Sequence, residues 1–80
     1  MINVALIGAG AHSMGNHVPA LAHYAAQRPG RVHLSAVCDL EGERARAAQA
    51  QAGFARAVTG IGELFAPGAA PLDALIVVLP

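Results

Sequence analysis

The sequence predicts an α/β fold: a parallel sheet with helices on both faces, of which these 80 residues hold the first four strands. Three observations carry this. Short runs of branched apolar residues alternate with stretches of helical period in the order β-α-β-α-β-α-β, and such alternation implies parallel strands joined by right-handed crossovers. Hydrophobic residues make up 55% of the chain and charged residues 12%, against about one quarter charged in ordinary domains. Strands buried on both faces read as unbroken apolar runs, which is how that excess is spent here.

The elements follow in order. Ile2 to Ile7 is a short apolar run ended by Gly8 and reads as a buried strand. From about Ser13 to Gln27 the period becomes helical, with Met14, Val18, Leu21 and Ala25 on one face. Pro19 leaves the start of this helix open. With Ser13 as N-cap the proline would lie in the second turn and kink the helix; with Asn16 as N-cap it would sit in the first turn, where no N–H is needed. Pro29-Gly30 closes the helix, and Val32 to Cys38 forms the second strand with Asp39 at its tip. Glu41 to Ala52 is the second helix: Glu41 and Glu43 suit its positive end, Ala45, Ala48 and Ala52 share a small-residue face, and Gly53 fits the stop. Phe54 to Val58 reads as a weaker third strand, and Gly60 to Phe65 as a short helix with Glu63 as its capping acid. A turn from Pro67-Gly68 to Pro71 leads to the fourth strand, Ala74 to Leu79, the most apolar segment.

Composition narrows the function. The formal net charge is zero, so no field favours nucleic acid or acidic lipid. All five basic residues are Arg, which removes any P-loop or acid/base lysine. The lone Cys38 rules out an internal disulfide and a multi-cysteine zinc site, and fits a reducing cytoplasm. No apolar run approaches the roughly 20 residues of a membrane helix, and the start lacks a basic leader region. A cytoplasmic location is expected.

The chemistry-bearing motif follows the first strand directly: Gly8-Ala9-Gly10-Ala11-His12-Ser13-Met14-Gly15. Gly8 permits the tight turn off the strand. Gly10 carries no side chain, so a pyrophosphate can approach the backbone and meet the N–H groups that open the helix. The third glycine of the dinucleotide fingerprint is irregular: either Ser13 substitutes as a small residue, or the loop is longer and Gly15 takes the part. Asp39, ending the second strand, can accept from the adenosine ribose hydroxyls and repel the extra phosphate of NADP. NAD is therefore the expected cofactor, with NADP less favoured. Together these features predict a Rossmann-type dinucleotide-binding unit over residues 1–80, part of a larger domain. The expected cofactor-binding residues are Gly8, Gly10, His12, Ser13, Met14, Asp39, Leu79 and Pro80.

The chain also resembles the N-terminal domain of the glucose–fructose oxidoreductase / inositol dehydrogenase family. The resemblance rests on Val4-Ala5-Leu6-Ile7-Gly8-Ala9-Gly10, on His17-Val18-Pro19-Ala20-Leu21, on Ala36-Val37-Cys38-Asp39 followed by Glu43-Arg44-Ala45, and on Asp73 to Pro80. It implies hydride transfer between NAD(P) and a carbinol carbon of a sugar, polyol or related metabolite. It also implies a second domain, outside this chain, that holds substrate and supports homo-oligomers. The family's catalytic lysine has no counterpart here, so no catalytic residue is assigned. Two other functions compete: a module that senses NAD without turnover, and an NAD-dependent hydrolase or lyase of the same family.

The remaining reactive residues have simpler readings. His12, His17, His23 and His33 show no spacing of three or four that would pair them on an α-helix, so no metal site is expected. The backbone of His12 is expected to help bind cofactor. Cys38, inside an apolar strand, reads as an inert buried thiol. Arg44 could lie over the adenine, and otherwise reads as a solvated residue on a helix face.

Overall fold

A computed structural model describes residues 1–79; Pro80, and with it the cofactor contact expected there, lies outside the described residues. The strands are β1 (Ile2–Ile7), β2 (Val32–Cys38), β3 (Arg56–Val58) and β4 (Ala74–Val77). They form one parallel sheet in the order β3-β2-β1-β4. The two long helices are α1 (Val18–Gln27), preceded by a π-helical turn at Ser13–His17, and α2 (Gly42–Ala52). A 3₁₀ helix spans Ile61–Phe65.

Strand side chains alternate between two cores. On one face Leu6, Leu34 and Val37 pack with Ala9, Val18, Ala48 and Phe54, so both long helices cover this side. On the other face Ala5, Ile7, Ala36, Cys38 and Val58 pack with Leu64 of the 3₁₀ helix, with Leu72 alongside. Leu34 and Ala36 are two apart yet face opposite ways. The cause is a bulge: Val4 pairs with Leu34 and Ala5 with Ala36, leaving Ser35 without a β1 partner. The buried Ser35 hydroxyl is satisfied by His33 Nδ1 at 3.0 Å.

The first helix resolves the proline question against both expected caps. Ala11 and His12 are already helical, and Met14 N–H donates to the Gly10 carbonyl at 2.9 Å. The helix thus begins at Gly10, with Ser13 and Asn16 both inside it. Pro19 sits near the start of α1, directly after the wide turn, in which the Val18 N–H reaches the Ser13 carbonyl five residues back. A proline this deep in a plain α-helix would break the ladder and collide with the carbonyl four residues back. The π turn opens the ladder just where Pro19 has no hydrogen to give.

The later elements follow the sequence closely, except that β3 starts later and β4 ends earlier than expected. Glu41 is the extended N-cap of α2, Ala45 and Ala48 are its buried face, and Gly53 closes it at φ 84°. Glu63 Oε2 accepts from Gly60 N at 2.9 Å and Thr59 N at 3.2 Å, the capping role expected of it. β3 is shorter than 54–58, because Phe54 turns into the core before pairing begins at Arg56. β4 stops at Val77, because β1 ends at Ile7 and leaves only one further bond, Val78 N to Ile7 O at 2.8 Å.

Candidate functional site

β1 to β3 are laid down on one side of the sheet and β4 on the other, so successive connections depart in opposite directions between β1 and β4. In open α/β sheets the crevice at the carboxyl ends of such strands is where ligands bind. A cleft of about 720 Å³ lies there, within the roughly 300–1,000 Å³ of small-molecule sites. Its floor is Ile7, Gly8 and Gly10, and one wall is the helix opening at Ala11, His12 and Ser13. The opposite wall is Cys38, Asp39, Leu40, Glu41 and Arg44, and Ile61, Val78 and Leu79 close the rim. A smaller cavity of about 390 Å³, between His33, Ser35, Arg56 and the 66–70 loop, gathers no comparable set of groups.

The two loop glycines are required for different reasons. Gly8 has φ +105°, and a Cβ there would be driven into the carbonyl oxygen of Val78. Its N–H donates to Cys38 O at 2.8 Å, so the turn is pinned between β2 and β4. Gly10 has no positive φ, and nothing lies within 4 Å of where its Cβ would be. That open space belongs to the cleft.

The irregular third glycine is settled by burial. Ser13 is 1% exposed, its small side chain packed where the helix meets the sheet. Gly15 is exposed, and a Cβ there would touch nothing. Ser13 therefore takes the small-residue position, and the extra residue is absorbed downstream as the π turn. The Ser13 hydroxyl is buried with no hydrogen-bond partner among the described residues, as is His17 Nδ1. Leaving such a group unsatisfied costs about 1–3 kcal/mol, which the site bears unless a ligand completes it.

Asp39 is tied to both walls. One carboxylate oxygen accepts from Ala9 N at 2.8 Å, and the other from Glu41 N at 2.8 Å. It therefore fixes the glycine loop against β2 and braces the entry to α2. A carboxylate offers about four acceptor positions, so roughly half remain for a ligand. The Ala9 N–H is consumed, and so is that of Met14. The donors left pointing out of the helix start are the N–H groups of Ala11, His12 and Ser13, which have no carbonyl within the helix.

Of the expected contacts, Gly8, Gly10, His12, Ser13, Asp39 and Leu79 all come together in the cleft. Met14 does not: it packs, partly buried, against the core beneath α1, as its place on the apolar helix face dictates. Leu40, 89% exposed, Ile61, 54% exposed, and Arg44 line the cleft as well. Arg44 is thus both exposed on the face of α2, as expected, and part of the cleft wall. His12 and His17 lie with ring centroids 5.3 Å apart. Residues five apart diverge on an α-helix and align on a π turn, so α-helical spacing hid this pair. Among the described residues no group of three or more His, Cys, Asp or Glu could hold a metal. The Cys38 thiol is pushed above its ordinary 9.0, first by burial and then by the carboxylates of Asp39 and Glu63. It stays protonated, as its inert reading requires. No described helix is long and apolar enough to cross a membrane.

No family model matches the chain, and no curated protein matches it. Among solved structures it is similar to the WlbA dehydrogenase from Bordetella pertussis, solved in complex with NADH and UDP-GlcNAcA. The two share 32% sequence identity at a TM-score of 0.75, over 99% of this chain and 22% of that one. This chain has the Rossmann-type fold. It spans 22% of the length of the dehydrogenase it matches.

Proposed function

We propose that the chain is the NAD-binding part of an oxidoreductase. The observation that supports it most is the pairing of an unobstructed Gly10 with an Asp39 carboxylate across one cleft at the switch point. The first admits a pyrophosphate to the helix start; the second keeps acceptor positions for ribose hydroxyls. NAD fits this set of residues, and the similar dehydrogenase was solved with NADH.

In this reading Ala11, His12 and Ser13 hold the phosphates through backbone N–H groups. Gly8 keeps the loop in place against β4, and Asp39 orients the adenosine ribose. Leu40, Ile61 and the Arg44 guanidinium flank the adenine, and Leu79 lines the rim. The bound dinucleotide would supply hydride transfer, while the protein supplies orientation and electrostatics. The sequence resemblance supports a parent activity of the glucose–fructose oxidoreductase / inositol dehydrogenase kind, acting on a sugar- or polyol-like carbinol. Homo-oligomers would form through a further domain, and the location would be cytoplasmic.

Asp39→Ser tests the cofactor assignment. The carboxylate attracts ribose hydroxyls and repels a 2′-phosphate, and specificity is the difference between the two effects. The expected result is a preference of the unaltered protein for NADH over NADPH, and a Kd ratio that moves toward NADPH by about tenfold or more in the variant. Fluorescence titrations at one stated salt concentration measure both constants. An unmoved ratio, or an initial preference for NADPH carried by Arg44, would overturn the assignment.

A further inference from the structure

We propose that the His12 imidazole is a direct ligand of a diphosphate seated in the cleft, presented as an Nε2–H donor by Asn16. The proposal rests on the dinucleotide reading above and adds a side chain to a site otherwise made of backbone.

The cleft is poorly supplied with positive charge. Asp39 and Glu41 bring carboxylates to it, against the guanidinium of Arg44, and the chain contains no lysine. A diphosphate there relies on the helix start, whose partial charge is only about half a unit. His12 stands on that first turn, exposed, and lines the cleft. Ser13, next to it, lines the same cleft, while its hydroxyl is buried and has no partner among the described residues. An exposed imidazole on the first turn, beside the outward N–H groups of Ala11, His12 and Ser13, points to an anionic ligand rather than to solvent.

The orientation of His12 is set from behind. Asn16 Nδ2 donates to the His12 carbonyl at 2.9 Å, which identifies that atom as the amide nitrogen. The same nitrogen lies 3.5 Å from His12 Nδ1. An amide NH₂ can only donate, so in this proposal Nδ1 accepts along that line and Nε2–H is the face offered to the diphosphate. The His17 ring, tilted 57° at 5.3 Å, backs the imidazole on the helix surface. Asn16 stands four residues on, where any helical turn would put it beside His12, and the π turn brings His17 onto the same flank. Asn16 is therefore a positioning residue for His12.

Calorimetric titration of the protein with ADP and with adenosine tests this, because only ADP carries the diphosphate. His12→Ala is expected to weaken ADP binding about tenfold, the worth of one hydrogen bond to a charged group, and to leave adenosine binding within about twofold. His12→Gln, which keeps an N–H near the place of Nε2, is expected to stay within about threefold of the original for ADP. Long-range ¹H–¹⁵N spectra should show the Nε2–H tautomer at His12, and Asn16→Leu should mix the tautomers while weakening ADP and not adenosine. Unchanged ADP binding in His12→Ala, or an equal loss for adenosine, overturns the proposal. If the unaltered protein bound neither ADP nor NADH, the dinucleotide reading itself would fall. Binding by the unaltered protein with an indifferent His12→Ala would sink the role of His12 alone.

Discussion

Gly8→Ala should damage the fold, and the size of the damage follows from two terms. At φ +105° an alanine meets strain, which for a non-glycine residue costs about 1–3 kcal/mol. Its Cβ would also collide with the Val78 carbonyl, so the end of β4 must withdraw. Withdrawal gives up the 2.8 Å bond from Val78 N to Ile7 O, worth about 1 kcal/mol. The total is about 2–4 kcal/mol, a large part of the about 4–12 kcal/mol typical of a chain this size. At about 4–8 °C per kcal/mol the melting temperature should fall by about 10–30 °C. Gly10→Ala is the control. Nothing obstructs its Cβ, and the loss should stay below about 1 kcal/mol. Circular dichroism during heating, repeated in urea, measures both variants. Equal stability of Gly8→Ala and the unaltered chain would refute the close passage of β4 beneath the loop.

The other expected outcomes probe different parts of the molecule. Gly10→Val should preserve the fold and reduce NADH affinity at least about tenfold, measured by cofactor fluorescence; undiminished binding would mean that the phosphates do not cross Gly10. Cys38 has a thiol pKa raised in the folded state, so the folded protein holds that proton more tightly than the unfolded chain. Its contribution is complete below the unfolded value and is lost as pH rises through the folded one, so urea midpoints should decline more steeply above about pH 9 than in Cys38→Ala. Parallel slopes for the two proteins would remove the thiol from the account. Val77, 56% exposed, lies on the edge strand β4. Val77→Lys should reduce self-association in sedimentation velocity, since a charge on an open edge discourages further pairing; an unchanged distribution would show that this edge is not the contact.

Much of this was legible because burial writes itself into sequence. The runs Ile2–Ile7 and Val32–Cys38 had to be strands, and Gly53 and Glu63 had to end and begin helices, since each satisfies a local geometric demand that few residues meet. Gly8, Gly10 and Asp39 were readable for the same reason. The features that escaped depend on register. Ser35 is an extra residue in β2, and the wide turn at Ser13–His17 is an extra residue in a helix; both insert one position without changing the apolar pattern on either side. Met14 fell on the core-facing stripe, and its burial there outweighed its nearness to the loop. Arg44, Leu40 and Ile61 were placed at the cleft by the packing of α2 and the 3₁₀ helix, which no local pattern records.

The wide turn has a consequence for how this helix can change in length. One residue added to a plain α-helix rotates everything beyond it by about 100°, which here would turn Val18 and Leu21 out of the core. Absorbed between Ser13 and His17, the added residue leaves the phosphate-facing end and the core-facing end each in its own phase. The segment behaves as a slip joint. Removing the exposed Gly15 would close it to an ordinary turn, so the two ends of the helix are free to gain or lose a residue between them without renegotiating either contact.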